Sequence, residues 1–263
     1  MDLGLKNKVA VISAASQGLG KASALALAAE GARLVICSRS KERIEAAAHD
    51  IEVSTGARVV PVVADVARPE DVETFVATAK KQFGTVHVLV NNAGGPPVGD
   101  ILSMPDDEWR RGFELTLMSM VRLTRSVLPM MIAQKWGRVI TLTSLTAKQP
   151  INELLLSSTY RPGISGLTKV LSGLYAQHNV TVNSVLPGHT ATARQVDLAK
   201  SRGEKMGLSA EQYFASVAKD IPAGRLARPE EIGNVVAFLA SEKASYINGV
   251  NLLVDGGFVK GIN

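Results

Sequence analysis

Side chains suited to acid–base chemistry are concentrated in the segment 154–169, which reads LLLSSTYRPGISGLTK. Reduction of a carbonyl group develops charge on its oxygen, so the reaction needs a hydrogen-bond donor, an acid and a cation that lowers the pKa of that acid. The segment predicts a helix in which Ser157 and Arg161 share a face. Its tyrosine, Tyr160, is followed four residues later by Ile164 and so lacks a matching cation. Which group would act as the acid is therefore open.

A glycine-containing turn, SAASQGLG at 13–20, follows the first predicted strand and precedes a helix. Glycine allows positive φ and a close approach of the backbone to a pyrophosphate. The amino end of the helix adds free N–H groups and a favourable dipole. Because the turn stands at the first strand–helix junction, about twenty residues before the end of the second strand, it predicts a dinucleotide-binding site.

The residues at the end of the second predicted strand indicate which dinucleotide would bind. A carboxylate there would hydrogen-bond the 2′-hydroxyl of the adenosine ribose and disfavour a 2′-phosphate. The chain has Ser38 and Arg39 instead. Arginine makes forked, charge-assisted contacts with phosphate, and a serine hydroxyl can add a hydrogen bond. We therefore predict NADP(H) in preference to NAD(H); the alternative is that Arg39 is a solvated loop residue.

Seven short apolar runs alternate with helical patterns along the chain, and the first six lack polar alternation, as strands buried on both faces of a parallel sheet do. The runs are 9–13, 33–38, 58–64, 87–94, 137–144, 180–188 and 249–257. They predict one α/β domain over 1–263, a Rossmann-type doubly wound parallel sheet of about seven strands with helices on both faces. The polar segment 190–222 interrupts the alternation; it is either an insertion that covers a ligand or an ordinary surface excursion.

Several motifs, in order along nearly the whole chain, resemble the short-chain dehydrogenase/reductase family. The turn at 13–20 is similar to the family's TGxxxGxG, with Ala14 in place of its first glycine. Asp65, in VVADVA, matches an adenine-contacting aspartate, and NNAG at 91–94 closes the fourth strand. PG at 187–188 precedes the substrate segment, and the closing NGVNLLVDGG follows the family pattern.

The resemblance implies that six segments hold the dinucleotide: the glycine turn, the end of the second strand, the end of the third strand, NNAG, the active-site helix and the loop after the sixth strand. The implied cofactor-binding residues are Ser13, Ala15, Ser16, Gln17, Gly18, Leu19, Gly20, Ser38, Arg39, Asp65, Val66, Asn92, Ala93, Gly94, Arg161, Pro187, Gly188, Thr190 and Thr192.

The resemblance also implies four catalytic positions, which the family fills with serine, tyrosine, lysine and asparagine. Ser144 keeps the serine, whereas Ser157, Arg161 and Thr116 stand at the other three places. A hydroxymethyl group is shorter than a phenol and a far weaker acid, and arginine stays protonated at any workable pH. We expect Arg161 to hold the cofactor ribose or the substrate and not to relay protons.

Three nearby groups are candidates for the missing proton donor, besides water. His189 follows the PG motif and would titrate near neutrality. Tyr160 lies about one helical turn beyond the substituted tyrosine position, on roughly the same side. Lys148 lies near the expected mouth of the site. Each is also compatible with an ordinary packing or surface role.

Three functions fit these residues. The first is an NADP(H)-dependent oxidoreductase acting on a carbonyl or secondary alcohol with an atypical proton donor. The second is a weakly active or inactive NADP(H)-binding sensor or structural protein, and the third is a non-redox enzyme, such as a lyase or isomerase. The double proline in GGPPVG at 94–99 stiffens its loop. With the substituted serine, it resembles a divergent branch similar to 3-oxoacyl-carrier-protein reductases.

Composition and charge favour a small-molecule substrate as the partner, over nucleic acid or a membrane. The net charge is +5, but no basic run of nucleic-acid type occurs, and no apolar run appears long enough for a membrane. A single cysteine, Cys37, excludes an internal disulfide, and with no signal-peptide pattern it predicts a cytoplasmic protein. We predict no metal. The family resemblance implies a homotetramer formed through helices at about 106–134 and 156–178.

Overall fold

Apolar runs rich in Val, Ile and Leu form one seven-stranded parallel sheet in the order β3-β2-β1-β4-β5-β6-β7. The computed structural model describes residues 2–261, except the side chains at 194, 197, 198, 201, 202 and 205. The strands are β1 (Val9–Ile12), β2 (Arg33–Ser38), β3 (Val59–Val63), β4 (Val88–Asn91), β5 (Gly137–Leu142), β6 (Val180–Pro187) and β7 (Asn251–Val254). Each lies within its predicted run, and the predicted fold class is confirmed.

Helices connect the strands and begin or end at residues suited to those positions. The α-helices are α1 (Gly18–Ala29), α2 (Lys41–Thr55), α3 (Pro69–Phe83), α4 (Asp106–Phe113), α5 (Ser119–Ala133), α6 (Leu155–Tyr175), α7 (Ala193–Met206), α8 (Ala210–Asp220) and α9 (Pro229–Ala240). Pro69 and Pro229 stand in the first turn, where a missing N–H costs nothing. Gly56 and Gly84 end α2 and α3 in the left-handed conformation.

Alternate residues of each strand point to opposite faces of the sheet, and both faces are buried. Ala10 and Ile12 of β1 pack on one side with α1, α2 and α9. Val11 packs on the other side with α3 and α5. Helices therefore cover both faces, as predicted, and the carboxyl ends of the strands form the edge at which ligands bind in this class of fold.

A long helical run connects β4 to β5. A single π-helical turn, Glu114–Met118, joins α4 to α5. Among the described residues, Asp106–Ala133 is the one helix long and apolar enough, by length and composition, to cross a bilayer, so the expectation that no such run exists was wrong. Leu123 and Val127 of this helix are buried against the sheet, which is the position of a core helix.

The strand order reverses between β1 and β4, where Ala10 pairs with Val88 and Ile12 with Val90. Chain crossovers leave in opposite directions at such a point and open a crevice beyond the carboxyl ends of the two strands. The turn at 13–20 lies at this crevice. Within it Gly18 has a φ of 58°, and Ala14 has a φ of 48°, a left-handed conformation that is unfavourable for a residue with a Cβ atom.

Cations and aromatic rings close the opposite, amino end of the sheet. Trp136 lies between the Lys8 ammonium, 4.0 Å from a ring centroid, and the Arg138 guanidinium, 4.4 Å away. The indole N–H donates to the Glu242 carboxylate at 2.7 Å. This cluster lies at the end of the sheet remote from the crevice, so it contributes to stability and not to ligand binding.

His87 is held neutral within this cluster. Its ring meets Trp136 edge-on, and its Nδ1 accepts the Val9 N–H at 3.0 Å, which requires an unprotonated nitrogen. Burial, and then the charges of Lys8 and Arg33, lower the pKa of His87 from 6.5 to about 4.

We predict that His87 makes the free energy of unfolding fall as the pH drops from 6.5 towards about 4. In this pH range His87 binds a proton in the unfolded chain but not in the folded protein, so a fall in pH favours unfolding. The replacement His87→Asn keeps an acceptor for the backbone N–H but does not titrate. Urea titrations between about pH 7 and pH 5 should show a weaker pH dependence in the variant. Equal dependence in both proteins would contradict the assignment.

A second prediction concerns the strained turn. The replacement Ala14→Gly should raise the free energy of unfolding by about 1 kcal/mol, because glycine adopts the left-handed conformation without penalty. For a chain of this size the melting temperature should rise by roughly 2–4 °C. The neighbouring Ala15→Gly is the matched control; Ala15 has no positive φ and is fully buried, so this change should lower the melting temperature. A lower melting temperature for Ala14→Gly would show that the turn stores no strain.

Candidate active site

Hydrogen bonds stitch the glycine turn to the end of β4. The Ser13 hydroxyl donates to the Asn92 carbonyl at 2.7 Å and accepts the Asn92 N–H at 2.9 Å. The Asn92 amide donates to the Ala14 carbonyl at 3.0 Å. Gly20 has no room for a side chain, since a Cβ atom there would lie 2.5 Å from the Ala14 carbonyl oxygen. The turn and NNAG therefore form one rigid wall of the crevice.

Residues predicted to face the adenosine lie at the carboxyl ends of β2 and β3. Arg39 is exposed directly after β2, while the buried Ser38 donates its hydroxyl to the Ser40 carbonyl at 3.0 Å. Ser40 caps α2, so Arg39 stands beside the free N–H groups of a helix end. Asp65 follows β3 and its carboxylate accepts the Ala67 N–H at 3.0 Å, which fixes the loop that also carries the buried Val66.

The segment after β6 closes over the glycine turn. A Cβ atom at Gly18 would lie 3.5 Å from the Thr192 methyl carbon, so the two segments are in contact distance. Gly188 is required where it stands, because a Cβ atom there would lie 2.7 Å from the Asp255 backbone. Thr190 forms a short parallel bridge with Ala227. Beyond this loop the segment 190–222 contains helices α7 and α8.

Hydrogen bonds link four residues, three of them sequence candidates, at the carboxyl end of β5 and the start of α6; the link to Ser144 runs through the Thr146 backbone N–H. The Ser144 oxygen accepts the Thr146 N–H at 3.2 Å, and the Thr146 hydroxyl lies 2.9 Å from the Ser157 hydroxyl. The Nε of Arg161 donates to the Ser157 oxygen at 3.0 Å. Ser157 and Arg161 are only 7% and 8% exposed, so a permanent positive charge is held inside the site.

Thr116 lies in the π-helical turn, at the other side of the same space. Its hydroxyl is buried and has no hydrogen-bond partner among the described residues. With Asn91 and Arg161 it lines a cavity of about 10 Å³, which is about the room that one water needs. Turns of π-helix are frequent at functional sites because they re-aim a side chain out of the regular helix. Thr116 and Arg161, both predicted catalytic residues, therefore line the same cavity.

Tyr160 faces away from this chain of hydroxyl groups. Its phenol donates to the Trp109 carbonyl of α4 at 2.9 Å, and its ring packs edge-on against Trp109 and Phe113. Gly112 allows the close approach of α4, because a Cβ atom there would lie 3.2 Å from the Tyr160 ring. Burial raises the pKa of Tyr160. Of the two roles that the sequence leaves open for Tyr160, proton donor or packing side chain, these contacts favour packing, because α4 orients the ring.

The other two candidate donors are His189 and Lys148. His189 is half-buried, and its ring meets Phe258 edge-on with centroids 5.1 Å apart. Lys148 is exposed. No described contact tests His189 or Lys148 as the proton donor. A role of His189 in proton transfer therefore stays a prediction.

Sequence reasoning missed Thr146 and the π-helical turn. Thr146 is completely buried and joins Ser144 to Ser157. A signal for Thr146 was present, because a hydroxyl two residues beyond a strand-terminal serine is typical of a local turn. The sequence Glu114–Met118 carries no such signal, because its bulge depends on how α4 and α5 pack. In the described residues no cluster of acidic, histidine or cysteine side chains could hold a metal ion.

Comparison with known proteins identifies the family to which the chain is similar. The family described as "Enoyl-(Acyl carrier protein) reductase" matches residues 13–259. The chain is 36% identical over 255 residues to "Oxidoreductase UcpA" of Escherichia coli strain K12, across 96% of this chain and 95% of that protein. It is 33% identical over 255 residues to the 3-oxoacyl-[acyl-carrier-protein] reductase FabG of the same strain, across 97% and 98%.

A solved structure extends the likeness to three dimensions. L-sorbose reductase from Gluconobacter frateurii, complexed with NADPH and L-sorbose, superposes with a TM-score of 0.96 at 36% identity over all of both chains. These likenesses agree with the parallel sheet and with the hydrogen bonds between the glycine turn and NNAG. The chain belongs to the short-chain dehydrogenase/reductase family.

Proposed function

We propose that the protein is an NADP(H)-dependent oxidoreductase that acts on a carbonyl compound or the matching secondary alcohol, with a proton donor other than the family tyrosine. The observation that carries this proposal is the continuity of the crevice. Residues of the glycine turn and of NNAG line the same cavity as Arg161 and Thr116. A bound dinucleotide would therefore lie next to the reacting carbonyl.

The residues present fit a bound NADP(H). Gly20 lets α1 pack directly on the turn, since a Cβ atom there would meet the Ala14 carbonyl oxygen, and this packing places the amino end of the helix at the crevice. The first turn of α1 offers N–H groups to the pyrophosphate, and Arg39 offers a fork of donors to a 2′-phosphate. L-sorbose reductase, the structural neighbour described above, is complexed with NADPH. When bound, the dinucleotide would supply a hydride.

The chain's own side chains would orient the substrate and stabilise charge. The Ser144 oxygen already accepts a backbone N–H, which leaves its own proton to donate to a substrate oxygen. Arg161 supplies positive charge at low exposure, where electrostatic interactions are stronger than in water. Ser157 positions Arg161 through its Nε. Water or His189 would supply the proton; Tyr160, another candidate, donates its own to the Trp109 carbonyl.

A second function is favoured by the substitutions themselves. Ser157, Arg161 and Thr116 stand where the family keeps its acid, its lysine and its asparagine, so a cofactor-binding sensor with little turnover, or a non-redox enzyme, would need no other change. Assay of NADPH binding beside NADPH oxidation separates the two. Binding without turnover on any substrate favours the sensor.

We also propose a cytoplasmic homotetramer. One face of α6 carries small residues with open space around them, Gly163, Gly166 and Gly173, beside the exposed apolar side chains of Val170 and Leu174. Small residues let a second helix approach closely, and exposed apolar patches are typical of interfaces.

The segment 190–222, through α7 and α8, would cover the substrate.

We predict that Arg39→Ala weakens NADPH binding about 10- to 100-fold, because a charge-assisted hydrogen bond contributes about 1.5–3 kcal/mol. NADH, which has no 2′-phosphate, should bind the variant almost as it binds the parent. Fluorescence titration with both cofactors measures this. Arg58→Ala, at the amino end of β3, is the matched control. Equal losses for NADPH and NADH would contradict the role of Arg39.

The oxidoreductase proposal predicts NADPH oxidation with at least one member of a panel of ketones, quinones and 3-oxoacyl thioesters. Ser144→Ala should lower kcat/KM about 100- to 1000-fold, the usual cost of removing a donor to a developing oxyanion. Ser165→Ala is the control, because the Ser165 hydroxyl, on α6, is not one of the predicted site residues and has no hydrogen-bond partner among the described residues. Equal effects of the two changes would remove Ser144 from the mechanism.

A further inference from the structure

We propose that Asp255 is a positioning residue for the reaction. It closes a turn after β7 that holds both ends of the segment 190–222 (the cover), and so fixes the position of helices α7 and α8 over the crevice. This inference rests on the proposed function, in which the cover lies over the substrate. It adds a residue that acts on substrate binding through the backbone that it holds.

The first observation is a turn closed by the Asp255 carboxylate. One carboxylate oxygen accepts the Gly257 N–H at 3.0 Å, and the other accepts the Val259 N–H at 2.9 Å. The Asp255 carbonyl accepts the Phe258 N–H at 3.3 Å. Gly256 and Gly257 have φ values of 66° and 84°, which glycine adopts without penalty. The Asp255 side chain therefore sets the course of the backbone from 255 to 259.

This turn packs on the end of β6, where the cover begins. The Gly188 N–H donates to the Val254 carbonyl at 3.0 Å. A Cβ atom at Gly188 would lie 2.7 Å from both Cα and Cβ of Asp255, so the two backbones are in direct contact. The His189 ring, next along the chain, meets the Phe258 ring edge-on. The loop that leads into α7 is therefore held against the turn.

The same turn packs on the other end of the cover, just after α8. The Ala223 N–H donates to the Gly256 carbonyl at 3.1 Å. A Cβ atom at Gly256 would lie 2.9 Å from Cγ2 of the buried Ile221, and one at Gly257 would lie 3.3 Å from the Pro222 ring. A side chain at either glycine would separate the turn from 221–223. Glycine is thus required here for contact as well as for the backbone conformation.

The two ends of the cover are also bonded to each other. The Ala191 N–H donates to the Ala227 carbonyl at 2.8 Å, and the Ala227 N–H donates to the His189 carbonyl at 2.9 Å. Between these ends α7 and α8 pack together; a Cβ atom at Gly203 would lie 2.7 Å from the Leu208 carbonyl oxygen. The cover is therefore a helical pair on a narrow base, and the turn after β7 fixes that base.

The base of the cover also touches the wall of the nucleotide crevice. The Thr192 hydroxyl caps α7 by accepting the Gln195 N–H at 3.4 Å. The Thr192 methyl carbon lies 3.5 Å from the place of a Cβ atom at Gly18. A shift of the base therefore changes the gap between α7 and the glycine turn.

Loss of the turn would let the cover occupy positions away from the crevice. Only molecules with the cover in place would bind the substrate fully, so the apparent substrate affinity falls with their fraction. Both Asp255 oxygens are bonded to backbone N–H groups, so Asp255 acts through the turn and not on the substrate. Ser144 keeps its own hydrogen bond on β5, so kcat should change less than KM.

The first test needs no turnover and measures amide hydrogen exchange by mass spectrometry. Asp255→Ala should speed exchange in α7 and α8 about tenfold or more, with exchange in α3 unchanged. Asp255→Asn, which keeps one acceptor oxygen, should have a smaller effect. Asp2→Ala is the matched control, since Asp2 also accepts the N–H of a glycine two residues on, Gly4, which has a φ of 69°. Exchange in α7 and α8 should not change in this control.

Unchanged exchange in α7 and α8 of Asp255→Ala would overturn the inference. An equal rise in α3 would do the same, because it would show a general loss of stability. If Asp255→Ala does not fold, Asp255→Asn is compared with Asp2→Asn by the same measure, and equal exchange in those two variants counts against the inference.

The second test uses steady-state kinetics with NADPH and any substrate of the carbonyl panel that the parent reduces. We expect Asp255→Ala to raise the substrate KM about tenfold and to change kcat less than threefold, with part of the effect restored in Asp255→Asn. A lower kcat at unchanged KM would contradict a positioning role. Absence of turnover by the parent on every substrate removes the proposed function instead, and the hydrogen-exchange result then decides by itself whether Asp255 fixes the cover.

Discussion

The meeting of β1 and β4 at the point where the strand order reverses is the constraint on which the rest of this structure depends. Parallel strands end at one edge of the sheet, and two neighbouring strands whose crossovers leave in opposite directions cannot close the space between them. Ser13, fully buried, fixes that space by exchanging two hydrogen bonds with Asn92. The glycine turn, NNAG and the cavity beside Arg161 all take their positions from this junction.

The second constraint is the cost of burying a guanidinium. A buried charge is tolerated only where its donors find acceptors. The Ser157 oxygen provides one at 3.0 Å, and serine is short enough to leave volume for the longer arginine. Ser157 and Arg161 are therefore best understood as a pair, in which the hydroxyl holds the cation. The buried guanidinium gives the site a fixed positive charge.

Packing between α4 and α6 decides the direction of the Tyr160 phenol. Tyr160 is on the helix that the sequence predicts, one turn from Ser157, and sequence spacing alone allowed it to face the crevice. Gly112 lets α4 approach α6 closely enough for the phenol to reach the Trp109 carbonyl. The same dependence on neighbours explains why the π-helical turn at Thr116 had no sequence signal, and why the apolar part of Asp106–Ala133 lies against the sheet.

The sequence by itself determined the strands, their parallel arrangement and the place of the glycine turn at the first strand–helix junction, because apolar runs, glycine turns and strand ends are local patterns with local causes. It also determined that Ser157 and Arg161 share a face, since that follows from helical spacing. Only the tertiary structure decided that Thr146 links Ser144 to Ser157, that Thr116 and Arg161 line one cavity, and that Tyr160 points to α4. Those contacts join residues brought together by the packing of separate elements, and no local pattern encodes the direction of a side chain across such a distance.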